Sequence, residues 1–138
     1  MNTGIVVVDA STLVAAVASR GALGDRARAM LRGRRRAAPC LIDAEIGSAL
    51  RSMVLRDDLS DAAGAAARLM AERLVHRRHP IHGALSARAW QLLHNLSFYD
   101  ALYVALAESL DCQLITADRR MARAFAEHGL ISTITAGD

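Results

Sequence analysis

The chain has 138 residues, of which 53% are apolar and 22% charged, with a formal net charge of +3. One compact domain over residues 1–138 is expected, since a chain this long buries about two-thirds of its surface on folding, and the composition excludes disorder. Ile5–Val8 stops at Asp9 and the next apolar run stops at Arg20, well short of the ~18 residues of a bilayer span; no basic stretch opens a secretory signal, so a cytoplasmic protein with no membrane partner is expected.

Short β-rich runs alternate with longer helical periods, which predicts an α/β chain with a parallel sheet. Residues 4–8 are a nearly continuous β-branched run, as in a strand covered on both faces. Ser11 or Thr12 is the expected cap of a helix running to about residue 18, and a second helix is predicted over 24–31. It ends at Gly33 and the cluster Arg34, Arg35, Arg36. After Pro39 a helix carries Ile46, Ala49, Leu50 and Met53 at i, i+3, i+4, i+7. Ser60 caps the next, Ala-rich helix, which reaches about His76. Pro80 closes that region, and residues 85–94 read as a helix. Ser97 opens another, with Tyr99, Leu102, Tyr103 and Leu106 on one face. Residues 114–116 form a short strand, 119–128 a helix and 131–134 a last strand.

Four acids stand at informative places. Asp9 ends the first strand, Asp118 follows the later strand, Asp100 lies in the first turn of its helix, and Glu45 lies near the start of the helix after Pro39. In an open parallel sheet the C-terminal strand ends and the loops beyond them form the binding crevice. Carboxylates gathered there repel one another unless a cation neutralises them, and an all-oxygen set suits Mg²⁺ or Mn²⁺. Each acid also has a plainer reading. Asp118 caps the helix after it, Ser97 and Asp100 have capping-box spacing, Asp9 is a turn acid and Glu45 a solvated flank. Spacing alone leaves both readings open.

The blocks Val7-Val8-Asp9-Ala10-Ser11, Glu45 with Leu50 and Arg51, Tyr99-Asp100-Ala101-Leu102-Tyr103-Val104-Ala105-Leu106-Ala107-Glu108, and Leu114-Ile115-Thr116-Ala117-Asp118 occur in this order along nearly the whole chain. They are similar to the four blocks of PIN-domain ribonucleases, and most resemble the VapC-type toxins of bacterial toxin–antitoxin pairs. The resemblance implies a three-layer α/β/α fold with a small, mostly parallel central sheet flanked by helices. It implies a metal-dependent endoribonuclease that cleaves structured RNA such as tRNA or rRNA. Asp9, Glu45, Asp100 and Asp118 would be its catalytic residues and its Mg²⁺ or Mn²⁺ ligands, with Ser11 and Thr116 in support. It further implies a VapB-type antitoxin and a homodimer. One position departs from the pattern: where the family often has Asn, three residues after its Glu, this chain has Ser48.

All 17 basic residues are Arg, which together with 28 Ala is a compositional bias. Position says more than the total. The segment from Arg20 to Arg36 holds seven Arg against Asp25, an excess of +6 that leaves the rest of the chain at −3. Arg34, Arg35 and Arg36, with Arg77 and Arg78, are candidate contacts for RNA phosphates, the alternative being a solvated loop. The absence of Lys excludes a P-loop and a Schiff-base enzyme. His76, His79 and His82 are interrupted by Pro80 and share no face, while Cys40 and Cys112 are expected as small buried hydrophobes. Two other classes compete. An aspartate-based phosphotransfer domain would want a second Asp at position 11, where Ser11 stands. A PIN-like module that binds RNA or protein without cutting is the other.

Overall fold

A computed structural model describes residues 1–126, 129 and 131–135. Five strands, β1 (Ile5–Val8), β2 (Arg35–Pro39), β3 (Arg77–His79), β4 (Gln113–Thr116) and β5 (Ile131–Thr133), pair in parallel in the order β3-β2-β1-β4-β5. Val6, Val7 and Val8 are sealed from solvent because β1 is the central strand and both of its faces are covered.

Among the described residues seven helices connect the strands: α1 (Ala10–Ala18), α2 (Ala22–Leu31), α3 (Ile42–Leu55), α4 (Asp61–Leu74), α5 (Ala84–Gln91), α6 (Phe98–Leu110) and α7 (Arg119–Phe125). From β1 the chain steps outward through β2 to β3, with α1 to α4 packed on one another. It then crosses back to β4 through α5 and α6, and reaches β5 through α7. Right-handed crossovers put these two helix sets on opposite faces, giving three layers. The direction reverses between β1 and β4, and at that switch point a crevice opens beyond the strand ends. Among the described residues no helix is long and apolar enough to cross a membrane.

Local sequence explains the helix packing. In α3, Ile46 and Leu50 are buried as the apolar stripe requires, with Ala49 and Met53 half-buried. The Ala-rich α4 presents Gly64, Ala67 and Ala71 inward, and a side chain at Gly64 would stand 2.6 Å from Val54. Small residues here let α3 and α4 approach closely. Ser60 and Ser97 cap α4 and α6 as expected, their hydroxyls accepting from the amides of Ala63 and Asp100 at 3.1 Å.

Several expectations are corrected. β2 and β3 were not legible: Arg-Arg-Ala-Ala-Pro and Arg-Arg-His contain no β-branched or aromatic residue, and they are strands because they pair with β1 and with each other. Arg35 and Arg36 therefore belong to a strand rather than a loop. Helix α4 stops at Leu74 and α5 at Gln91, short of His76 and His94. Of the face Tyr99, Leu102, Tyr103 and Leu106, Tyr99 is 65% exposed and the other three are buried, since α6 enters the core only from Asp100 onward. Cys112 is buried as expected but Cys40, just past β2, is exposed. The expected end of the α7 helix at His128 lies outside the described residues.

Candidate active site

Asp9 stands where β1 ends and α1 begins, with extended backbone, and it accepts from the Thr12 amide at 3.0 Å. Asp9 is thus the cap of α1, in place of Ser11 or Thr12. Those two hydroxyls turn back onto its carboxylate instead, donating at 2.8 and 3.0 Å. The pairing of Val8 with Ile115 brings Thr116 alongside, and Thr116 Oγ1 donates to the other carboxylate oxygen. Ser11 Oγ and Thr116 Oγ1 in turn accept from the amides of Ala117 and Asp118, at 3.0 and 3.1 Å. Two hydroxyls therefore clamp Asp9 to the loop between β4 and α7. Only 3% of Asp9 is exposed, and burial pushes its carboxyl above the ordinary range. The donors from Thr116, Thr12 and Ser11 partly offset that rise.

Glu45, in the first turn of α3, faces α6. Its Oε1 accepts from Tyr103 Oη at 2.5 Å. Burial raises the Glu45 carboxyl, the Tyr103 hydrogen bond lowers it, and the charges of Asp9 and Asp100 raise it again. Tyr103 itself is fully buried, and burial together with this acceptor holds its phenol protonated far above the usual range.

Asp100 occupies the first turn of α6 and is 9% exposed. Asp118 caps α7, its Oδ1 accepting from the amides of Arg120 and Met121 at 2.9 and 3.3 Å. Between these two acids lies Arg120, its Nη2 3.5 Å from Asp100 Oδ2 and 3.8 Å from Asp118 Oδ2. Asp9 and Asp118 both cap helices, and the strand-to-helix turn that makes each carboxylate a cap also places it on the wall of the crevice.

All four acids, with Ser11, Ser48, Tyr103 and Arg120, line one open cavity of about 410 Å³ at the switch point. Ser48, the departure from the family pattern, is on its wall. Among the described residues no three His, Cys, Asp or Glu side chains close into a ready metal cage. The donor chemistry nonetheless fits a hard divalent ion: every acidic side chain of the cavity offers oxygen, and Mg²⁺ usually keeps most of its waters and takes only one or two carboxylates. A cation, the Arg120 guanidinium, already sits between two of the acids.

The other candidates lie elsewhere. Successive residues of β2 and β3 face opposite sides of the sheet. Arg36 is half-buried, its guanidinium donating to the carbonyls of Leu74, Leu31 and Arg34. Arg78 makes a two-pronged bond to Asp43 at 2.6 and 2.7 Å, and Arg34 reaches Gln113 at 3.4 Å. Among the described residues only Arg35 and Arg77 of this group keep exposed side chains without an ion pair or hydrogen bond. The Arg cluster is therefore not one surface. His76 Nδ1 accepts from the Arg36 amide, and His79 and His82 line a separate cavity beside α5 and α6.

The PIN-domain family model matches residues 6–126. This chain belongs to the PIN-domain family. Ribonuclease VapC1 of Mycobacterium tuberculosis is 46% identical over 118 residues, covering 86% of this PIN domain chain and 89% of that protein. Ribonuclease VapC9 of the same organism is 44% identical over 118 residues, with the same coverage. Of solved structures, PAE2754 from Pyrobaculum aerophilum has a TM-score of 0.69 at 23% identity, covering 94% of this chain and 83% of that one. VapC20 of Mycobacterium tuberculosis, a sarcin–ricin loop cleaving toxin, has a TM-score of 0.62 at 21% identity, covering 86% and 94%. The two structures share the fold, and the sequence relatives put this PIN domain in the VapC-type branch that its motifs resemble.

Two site residues escaped the sequence reading. The spacing places Tyr103 on one face with Tyr99, Leu102 and Leu106 and gives it no role in the site, although a buried Tyr hydroxyl needs a partner and Tyr103 lies one turn after Asp100. Arg120 had no signal, since nothing in the sequence separates it from Arg119.

Proposed function

We propose that this PIN domain is a divalent-metal-dependent endoribonuclease and the toxin of a toxin–antitoxin pair. The observation that carries this reading is the convergence of Asp9, Glu45, Asp100 and Asp118, from four different elements, on one cavity at the switch point. Asp100, Asp118 and Glu45 all line that cavity. Asp9 is held rigidly by Ser11, Thr12 and Thr116, so its position is set before any ligand arrives. A Mg²⁺ or Mn²⁺ ion held by these acids supplies the charge that makes water more acidic and draws negative charge from a phosphodiester. The protein's own part is to fix the acids; Arg35 and Arg77, at the N-terminal edge of the sheet away from the crevice, can hold only RNA backbone that extends beyond the site. The substrate is structured RNA, the kind of target named for VapC20.

The partner is a VapB-type antitoxin. A groove of about 430 Å³ between α1, α2 and α4 has an apolar floor of Ala16, Val17, Leu31 and Leu74, and Arg32 and Arg73 on its rim. That combination suits an acidic, amphipathic segment. A homodimer would cover the exposed Trp90, Leu93 and Phe98 around the turn from α5 to α6.

The test is cleavage of total RNA by the purified chain with Mg²⁺, with Mn²⁺ and with EDTA, beside the Asp9→Asn variant. Cleavage that needs both the ion and Asp9 supports the reading. A wild-type chain that binds RNA but leaves it intact in either ion makes it a binding module.

A further inference from the structure

Asp9 and Glu45 spend carboxylate oxygens on protein donors: both oxygens of Asp9 face hydroxyls, and Oε1 of Glu45 faces Tyr103. Asp118 spends Oδ1 on the first amides of α7. Among the described residues Oδ2 of Asp118 and Oδ2 of Asp100 accept no hydrogen bond, and both acids line the cavity. Those are the two oxygens that Arg120 faces, through a single nitrogen. Its backbone amide is bonded to Asp118, so the side chain is tethered to the rim of the site. At 3.5 and 3.8 Å the guanidinium straddles both acids without closing a hydrogen bond to either, a charge-assisted one being about 2.7–2.9 Å. It is also 70% exposed, so the contact is screened and little energy is needed to undo it. Among the described residues Arg119, its neighbour, makes no ion pair.

We infer that Arg120 is a built-in counter-ion of the acidic centre: it stands between Asp100 and Asp118 and competes with a divalent ion for their oxygens. The inference rests on the metal-site reading above. It makes Arg120 a competitor of the ion, setting how much free metal is needed before the centre fills. A guanidinium on a long exposed side chain is suited to this, because it can swing out to solvent without disturbing the cap that Asp118 makes on α7.

The experiment is isothermal titration of the full chain with Mn²⁺, in the absence of RNA, for wild type, Arg120→Gln, Arg120→Lys and Arg119→Gln. Arg120→Gln should bind Mn²⁺ about two- to tenfold more tightly than wild type, the size expected for loss of one or two exposed charge contacts. Arg120→Lys should return toward wild type because the charge is kept, and Arg119→Gln should not change. In EDTA, Arg120→Gln should melt lower than Arg119→Gln. Equal or weaker Mn²⁺ binding by Arg120→Gln, with wild type binding normally, overturns the counter-ion role alone. Failure of every variant and of wild type to bind Mn²⁺ overturns the metal reading and this inference with it.

Discussion

Tyr103 on α6 and Glu45 on α3, both lining the crevice, are joined by one hydrogen bond, Oη to Oε1 at 2.5 Å. It links the two helix layers beside the strand ends, and it sets both the direction and the ionisation of Glu45. Replacing Tyr103 by Phe removes the donor and leaves the ring. Burial and the charges of Asp9 and Asp100 would then raise the Glu45 carboxyl unopposed. Tyr103→Phe should cost about 1–3 kcal/mol, from an acceptor left without its partner. The acid limb of its cleavage–pH profile should move to higher pH. A profile superimposable on wild type would show that Glu45 does not depend on this bond.

Glu45 also sets a pH dependence of stability. Its carboxyl is raised in the folded protein, so between the unfolded value of about 4.3 and the folded one the native state holds more protons than the unfolded state. Stability from this group is complete below that window and is lost as pH rises through it. Gln at this position keeps an oxygen for Tyr103 and carries no charge. In EDTA, Glu45→Gln should therefore match wild type near pH 4 and melt higher at pH 7.5. Equal melting temperatures across that range would mean that Glu45 ionises without strain.

Thr116 does two jobs with one hydroxyl, donating to Asp9 and accepting from the Asp118 amide. Thr116→Val keeps the shape and loses both. Oδ2 of the buried Asp9 and the Asp118 amide would each lose that partner, at about 1–3 kcal/mol apiece, whereas Thr116→Ser should cost under about 1.5 kcal/mol. Urea unfolding of the two variants separates these outcomes.

The arginines divide by what they touch. Arg36 satisfies three carbonyls from within the fold, whereas Arg35 and Arg77 are exposed. Arg36→Gln should lower stability with little change in the salt dependence of RNA binding. Arg35→Gln with Arg77→Gln should leave the melt unchanged and flatten the log K against log[salt] slope by about 1.4 on single strands. A slope unchanged by that pair would place the RNA on another face.

What the sequence made legible follows from where its signals are strong. Val6, Val7 and Val8 announce a central strand, and Ser60 and Ser97 announce helix starts. The acids could be read because strand ends and helix starts are themselves readable, so Asp9, Asp100 and Asp118 came with their positions attached. β2 and β3 failed for the opposite reason: Arg35 and Arg77 carry no local preference for a strand, and only pairing with distant partners makes them one. Arg120 could not be found because its role depends on how close α7 lies to the start of α6, which no local pattern encodes.

Asp118 offers the sharpest separation of structural from chemical roles. It caps α7 through Oδ1 and faces the cavity through Oδ2. Asn caps a helix about as well as Asp, so Asp118→Asn should leave α7 in place and the metal-free melt within about 0.5 kcal/mol of wild type. It removes a negative charge from beside Asp100, which further limits any loss of stability. Cleavage should respond quite differently. Losing a few kcal/mol of charge stabilisation in the transition state, at about 1.36 kcal/mol per decade, corresponds to a rate drop of roughly 10²-fold or more. Mn²⁺ should raise the melting temperature of wild type more than that of the variant, because a ligand that binds only the folded chain stabilises it by an amount that grows with the logarithm of its binding constant. Melts with EDTA and with Mn²⁺, beside a cleavage time course, read all three quantities. An Asp118→Asn chain that cuts RNA at the wild-type rate and responds equally to Mn²⁺ would reduce Asp118 to a helix cap.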